Sequence, residues 1–359
     1  MPDDNASIQQ QLEQSILKGP HVVIVGAGAT IASIPNGDKN GRKSSVMNNF
    51  VKNLGMEDLM AKVSLQTQSL NIEDIYSELY ERPEYDCIRI EMEQRIFSYF
   101  DSLEIPDSPT AYDYLILSLR KKDWIFSFNW DDLILQAYAR CYRITTDLPE
   151  LVFLHGNVNV AFCNSCGKPQ RLDYGVCCEC GKELTPVQLL YPVKQKDYTS
   201  STYIKKAWET LEVALDEASI LTIFGYSAPK TDAAAKELMK KAFANRLRWY
   251  DQMEVIDIAD RETIYTAWED FITAVHDHIS IHSTIFDGTL MAEFPRRSVE
   301  GYVKRNYNGW WGASGVSLSE CGSMEALKQL MQPLLVNEQK GDTAVVSQRD
   351  IQQRLSNNI

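Results

Sequence analysis

Two cysteine pairs, Cys163-x-x-Cys166 and Cys177-x-x-Cys180, stand ten residues apart. Each pair offers two thiolates from a tight knuckle, and two knuckles complete the tetrahedral donor set of a zinc ribbon. Gly167 and Gly181 directly follow the pairs and let the backbone turn around the metal. Four thiolates leave no position for water, so Zn2+ here is expected to be structural, supplying folding energy rather than chemistry. Cys178, adjacent to Cys177, is a competing candidate for the metal, although its offset from Cys180 is poor for a knuckle. Cys87, Cys141 and Cys321 read as small hydrophobes.

A second group of residues has the types needed for ligand chemistry. GAGAT (26–30) ends an apolar run, and its backbone amides are expected to be free to meet phosphate, or else to form an ordinary strand-to-helix turn. The third glycine of the dinucleotide fingerprint is absent, since position 31 is isoleucine, so a hydride-transfer dehydrogenase fits poorly. FNWDDL places Asn129 and Asp131 just past another apolar run, LHG places His155 after a third, and IFGYS brings Gly225 and Ser227 to the end of a fourth. Each has a plain alternative: helix caps for Asn129 and Asp131, a packed side chain for His155, a turn for Gly225 and Ser227. Their common position at strand ends argues for convergence on one crevice.

Such residues need a sheet to hold them together. Apolar strands are expected at VVIV (22–25), WIFSFNW (124–130), SILTIFGYS (219–227), MEVIDIAD (253–260) and ISIHS (279–283). Helical periodicity is expected over 8–17, 72–103, 109–120, 201–218, 230–248 and about 262–277. The alternation predicts an α/β fold, a Rossmann-like doubly wound parallel sheet with an inserted small zinc-ribbon module and a helical C-terminal extension. The expected partition is 1–150 with 190–285 as the ligand-binding domain, 151–190 as the ribbon, 286–335 as the extension and 336–359 as a loosely held tail.

The chain has 359 residues, 44% hydrophobic and 24% charged, enough for a large core and a small appended unit. A formal charge of −13 argues against nucleic acid as a partner, because a phosphate backbone would meet mostly negative surface. The acidic start MPDDN and the lack of any long apolar run point to a cytosolic protein without a membrane span.

The order of these motifs resembles the sirtuin family. GAGAT stands for its glycine turn, FNWD for its Asn-x-Asp motif, LHGNVNVAFCNSCG for its histidine leading into the ribbon, and IFGYS for its Gly-x-Ser strand, over roughly residues 20 to 280. The resemblance implies NAD as substrate and cleavage of the nicotinamide–ribose bond. It implies that Gly26, Ala27, Gly28 and Thr30 contact the phosphates and nearby ribose, and Asn129 the nicotinamide ribose and a water. Asp131 would hold the carboxamide, Gly225 and Ser227 would line the adenosine half, and Asp257 would reach the adenine ribose. His155 would be the active-site base, and an ordinary histidine pKa of about 6.5 suits that task.

Two departures from the family pattern shape the expected activity. Deacylase sirtuins carry a glutamine before Asn-x-Asp, where this chain has Phe128. Their peptide-binding Phe-Gly-Glu-x-Leu-Pro segment is replaced by LLYPVKQKDY (189–198). FNWDDLI and GYSAPKTD instead look like divergent bacterial sirtuin-like effectors of anti-phage defence, in which water replaces the peptide. The expected function is therefore an NAD glycohydrolase releasing nicotinamide and ADP-ribose, with an NAD-dependent deacylase and a non-catalytic nucleotide sensor as alternatives.

A free NAD hydrolase would harm its own cell, so a gating protein partner or homo-oligomer is expected. The similarity to Kongming-type defence sirtuins implies a nucleotide-pyrophosphatase-like subunit. Tyr302, Tyr307, Trp310 and Trp311, beside basic residues, form either a helix covering the sheet or an interface. The family's segment after the glycine turn survives only as ASIPNGDKNGR, leaving open whether Asp38 or Arg42 contacts the dinucleotide.

Overall fold

The computed structural model describes residues 15–44, 50–191, 201–229, 232–244, 251–275, 279–307 and 316–341, together with Glu13 and Tyr198. The run containing Trp310 and Trp311, most of the 192–200 segment and everything beyond 341 lie outside the described residues.

The chain enters through the fully buried strand β1 (His21–Val25), which runs into helix α1 (Ala27–Ser33). Short helices α2 (Phe50–Asn53) and α3 (Glu57–Met60) lead to α4 (Ile72–Tyr80) and α5 (Asp86–Asp101). The helical stretch expected over 72–103 is thus two helices. Pro83 starts a 3-10 turn between them, because it has no N–H for the preceding helix and restricts Arg82 to extended backbone. Helix α6 (Ala111–Leu117) opens with a capping box in which Thr110 and Asp113 satisfy each other's backbone amides.

Strand β2 (Trp124–Ser127), helix α7 (Leu133–Cys141) and strand β3 (Glu150–Phe153) complete the first half. The inserted module follows, an antiparallel sheet of β4 (Val160–Cys163), β5 (Lys168–Arg171) and β6 (Thr185–Pro186). The second half runs α8 (Thr202–Glu217), β7 (Ile220–Phe224), α9 (Ala233–Ala244), β8 (Gln252–Ile256), α10 (Arg261–Val275) and β9 (Ile279–His282).

The six main strands are all parallel and lie in the order β3-β2-β1-β7-β8-β9. HVVIV and ILTIF have every residue buried, as central parallel strands covered on both faces must. The first three strands step one way from β1 and the last three step the other, so the order reverses between β1 and β7. At such a switch point the connections leave in opposite directions and a crevice opens beyond the carboxyl ends of the strands.

The C-terminal extension forms α11 (Leu290–Glu293), α12 (Ser298–Asn306) and α13 (Met324–Gln339). Phe294, Val299, Tyr302 and Val303 bury against Ile16 and Ile220, so Tyr302 belongs to packing against the sheet rather than to an exposed surface. Helix α13 continues past residue 336 to Gln339. Its Glu338 accepts from the buried guanidinium groups of Arg296 (2.7 Å) and Arg297 (2.5 Å), which ties that part of the chain to the body. No described helix is long and apolar enough to cross a membrane.

Candidate functional site

One cavity of about 420 Å3 lies at the carboxyl ends of β1, β2, β3, β7 and β8. Its walls include Gly26, Ala27, Gly28, Thr30, Asn129, Asp131, His155, Gly225, Ser227 and Asp257. That volume is within the usual range for a small-molecule site. Residues separated by more than 200 positions meet there because the switch point brings the ends of β1 and β7 side by side.

The glycine turn differs from the expectation of free amides. Gly26 N donates to Phe224 O (3.0 Å), Gly28 N to Gly225 O (2.8 Å) and Ala29 N back to Gly26 O (3.0 Å). A Cβ on Gly26 would sit 2.7 Å from Gly225 O, and one on Gly28 2.7 Å from Gly225 Cα. Gly225 itself has φ +60°, and a Cβ there would lie 2.3 Å from Ala29 N. The three glycines therefore serve first to let the turns after β1 and β7 touch, and this contact forms the cavity floor.

Behind that floor a buried polar cluster fixes Asn129. Its Nδ2 donates to Gly26 O (2.8 Å), Thr30 Oγ1 (3.0 Å) and Tyr112 Oη (3.0 Å). Thr30 Oγ1 lies 2.7 Å from Tyr112 Oη and donates to Asp131 Oδ2 at 3.0 Å. Asp131 Oδ1 accepts from Leu133 N (3.2 Å), so this carboxylate both steadies the start of α7 and belongs to the cavity cluster. Burial pushes the Asp131 carboxyl up to about 6, against the lowering effect of the Thr30 and Leu133 hydrogen bonds. The cap and ligand readings of Asp131 are thus compatible.

His155 is buried and packed among rings. Phe128 meets it edge-on with centroids 4.7 Å apart, and Tyr198 lies at 6.0 Å with planes 29° apart. Phe128 is stacked in turn on Tyr226 at 4.1 Å and 8°, and Trp208 closes on both Phe128 and Tyr198. Gly156, φ +78°, makes the turn after His155, where a Cβ would lie 2.5 Å from Gln188 O. Asn157 Nδ2 donates to Asp131 O at 2.6 Å, linking the histidine turn to the Asn-x-Asp turn.

Asp257 lines the cavity while its Oδ1 accepts from Ala259 N (2.8 Å), shaping the loop after β8. Asp38 and Arg42 are not among the lining residues. Asp38 is a buried pin that accepts from the amides of Asn40, Arg42 and Glu104 and from Arg42 Nε.

Several lining or supporting groups carried no local signal in the sequence. Asn71 and Glu73 come from the start of α4, Phe100 from α5 and Tyr112 from α6, each brought in by packing. Asn157 was the most accessible to reasoning, since it directly follows the His-Gly turn. The described lining holds four acids, Glu73, Asp131, Asp232 and Asp257, and no lysine or arginine. An electron-poor or cationic ligand group is favoured in such a lining, whereas an anion must rely on backbone and hydroxyl donors.

The cysteine module stands apart from this cavity. The sulfurs of Cys163, Cys166, Cys177 and Cys180 all lie within 4.8 Å of one another. Cys163 and Cys180 are 3.6 Å apart and Cys166 and Cys177 3.8 Å, close to the edge of about 3.8 Å that Zn–S bonds of about 2.3 Å impose on a tetrahedron. The donor set fits structural Zn2+, and Cys178 is outside it. Gly167 (φ +67°) and Gly181 (φ +69°) close the two knuckles. Lys206 Nζ on α8 donates to Gly167 O at 2.6 Å, fastening the module to the main body.

No protein-family model and no curated protein matches the chain. Among solved structures, it is similar to a mutant Sir2 homologue in complex with ADP-ribose, at 12% identity and TM-score 0.40, covering 84% of this chain and 99% of that one. A Sir2 homologue–NAD complex is 15% identical at TM-score 0.35, covering 82% and 94%. Sir2 bound to an acetylated peptide is 13% identical at TM-score 0.36, covering 84% and 98%.

Proposed function

We propose that the chain is a sirtuin-like NAD glycohydrolase. The observation that carries this reading is the meeting, in one cavity at the switch point, of an Asn129 amide held by its nitrogen end and the His155 imidazole. Asn129 offers its carbonyl oxygen as an acceptor for a water or ribose hydroxyl proton, and His155 takes the proton released. The C1′–N bond breaks with its electron pair leaving on neutral nicotinamide. The water oxygen bonds to C1′, and the products are nicotinamide, ADP-ribose and a proton. The acidic lining favours the cationic ring and the oxocarbenium-like centre over neutral competitors.

Gly26, Ala27, Gly28 and Thr30 form the wall for the diphosphate and nearby ribose, Asp131 faces the carboxamide, and Gly225, Ser227 and Asp257 face the adenosine half. With the amides of Gly26 and Gly28 engaged by the β7 turn, Ala27 N and side-chain hydroxyls are the donors assigned to the diphosphate. Water is preferred to an acyl-lysine peptide as nucleophile because Phe128 and Tyr198 pack against His155 and are themselves backed by Tyr226 and Trp208. In this reading the protein is a cytosolic bacterial defence effector, gated by a protein partner of the nucleotide-pyrophosphatase-like kind or by self-assembly. That part rests on the motif resemblance and on the harm an ungated hydrolase would cause.

The test is incubation with NAD alone and with NAD plus an acetylated peptide, with and without candidate partners, following nicotinamide and deacetylated peptide. Nicotinamide release without peptide supports the hydrolase. Release that requires peptide overturns it in favour of a deacylase, and binding of NAD without cleavage under every condition overturns it in favour of a sensor.

A further inference from the structure

Gly26 O can only accept a hydrogen bond, so the Asn129 end 2.8 Å away must be the NH2 group, and the amide cannot be flipped without setting two carbonyl oxygens against each other. The two protons of that group face three acceptors, Gly26 O, Thr30 Oγ1 and Tyr112 Oη. Asn129 Oδ1 takes no hydrogen bond from the described residues and is left to the cavity that Asn129 lines. The Tyr112 ring is fully buried in the core, and its hydroxyl reaches Asn129 from helix α6.

We infer that Tyr112 is a positioning residue whose hydroxyl, wedged between Thr30 and Asn129, steadies the tilt of the Asn129 amide whose carbonyl oxygen Gly26 O turns toward the cavity. With Asp131 ionised, the Thr30 hydroxyl gives its proton to Asp131 and accepts from Tyr112. Tyr112 Oη then has a lone pair for Asn129. Every proton in the chain runs one way, toward the carboxylate, and the amide has a single satisfied orientation. Without the Tyr112 hydroxyl, the Asn129 NH2 keeps Gly26 O and Thr30 Oγ1 as acceptors and does not flip, but it loses the contact on one side that limits rocking about its terminal torsion, which is broad, and Thr30 Oγ1 loses a donor. This inference rests on the hydrolase reading for its kinetic consequence but not for its geometry.

The experiment compares wild type, Tyr112→Phe and Tyr138→Phe. Tyr138 donates a half-buried bond to Pro149 O at 3.1 Å and does not line the cavity, so it reports the cost of losing a tyrosine hydroxyl away from the site. Two readouts are taken: steady-state NAD hydrolysis, and hydrogen exchange of the Asn129 side-chain amide in asparagine-labelled protein, assigned with Asn129→Asp. For Tyr112→Phe, kcat is expected to fall roughly tenfold with KM within about twofold, and the amide to exchange faster. Tyr138→Phe is expected to match wild type in both. Equal kcat and equal amide exchange in Tyr112→Phe and wild type overturn the inference, as does a rise in KM with kcat unchanged. If wild type itself does not cleave NAD, the hydrolase reading fails. The exchange measurement then still decides the matter: loss of protection in Tyr112→Phe upholds the positioning role, and retained protection overturns it.

Discussion

Two of the buried polar clusters among the described residues end differently. At the carboxyl ends of the strands, Thr30, Tyr112, Asn129 and Asp131 bond to one another but leave Asn129 Oδ1 facing the cavity. Toward the C-terminal extension, His21 bridges Ser298 Oγ (2.9 Å) and Thr222 Oγ1 (2.7 Å), Thr222 donates to Glu254 Oε2 (3.3 Å), and Leu290 N donates to Glu254 Oε1 (2.9 Å). This second cluster ends on protein at every step and joins β1, β7 and β8 to the α11 and α12 region. A polar network closed on itself holds architecture together, whereas one that leaves an acceptor open at a cavity is equipped to meet a ligand. The cysteine cluster is a third case, with four sulfur donors placed close enough to share one metal ion.

The largest expected effect tests the open cluster. Asn129→Ala and His155→Ala should each lower NAD turnover by roughly 10²- to 10⁴-fold while the chain stays folded and zinc content stays close to wild type, with some fall in melting temperature because both side chains are buried and Asn129 donates to Gly26 O. A variant that keeps turnover within threefold would remove that residue from the working set. Metal removal addresses the closed sulfur cluster. Chelation, or Cys163→Ser, should release bound zinc, expose residues 160–186 to proteolysis and lower the melting temperature, as read by metal analysis and limited digestion. If zinc loss leaves the module resistant to protease, the thiolates are not what holds it.

A smaller effect should come from Glu254. Its burial pushes the folded-state pKa from 4.5 up to about 7. Between those values the folded protein keeps a proton that the unfolded chain has released, so this stabilisation is present at low pH and is lost as pH rises through that window. Glu254→Gln should therefore show a smaller drop in melting temperature between pH 5 and pH 8 than wild type. An equal drop in both would mean that the closed cluster does not titrate through Glu254. His21, pushed down to about 3 chiefly by burial and also by nearby Lys122, stays neutral throughout that range.

The smallest expected effect is on the acid limb of the rate profile. Asp131, raised to about 6 by burial, takes up a proton as pH falls through that value, so kcat/KM for NAD should decline on acidification there. Thr30→Val should move that limb upward, because it removes a hydrogen bond that favours the carboxylate. A profile with no limb between pH 5 and pH 7 would separate Asp131 ionisation from turnover.

Much of the fold was legible locally. HVVIV and ILTIF are apolar at every position but His21 and Thr222, as buried parallel strands require, and the two polar exceptions are the ones that bond to each other. The zinc ligands were legible because knuckle geometry is set by short spacing. Asn129, His155 and Gly225 were legible as polar or glycine punctuation at strand ends. Tyr112 and Glu73 were not, since nothing in PTAYDYL or NIEDIYS marks one residue of an amphipathic helix as reaching a site. The fate of the Gly26 and Gly28 amides was also hidden, because their acceptors lie about 200 residues away, at the last residue of β7 and in the turn after it.

By itself, the sequence determined what depends on near neighbours: the strand and helix periods, the two sulfur knuckles, and which polar groups stand at strand ends. Only the tertiary structure decided which end of Asn129 faces the cavity, why the glycines of the β1 and β7 turns must lack side chains, and that Phe128 and Tyr198 pack against His155 with Tyr226 stacked behind Phe128. Those outcomes depend on groups far apart in the chain arriving within 3 to 6 Å of one another. Local propensity carries no information about such distances, which are set by the strand order and the packing of the helices above it.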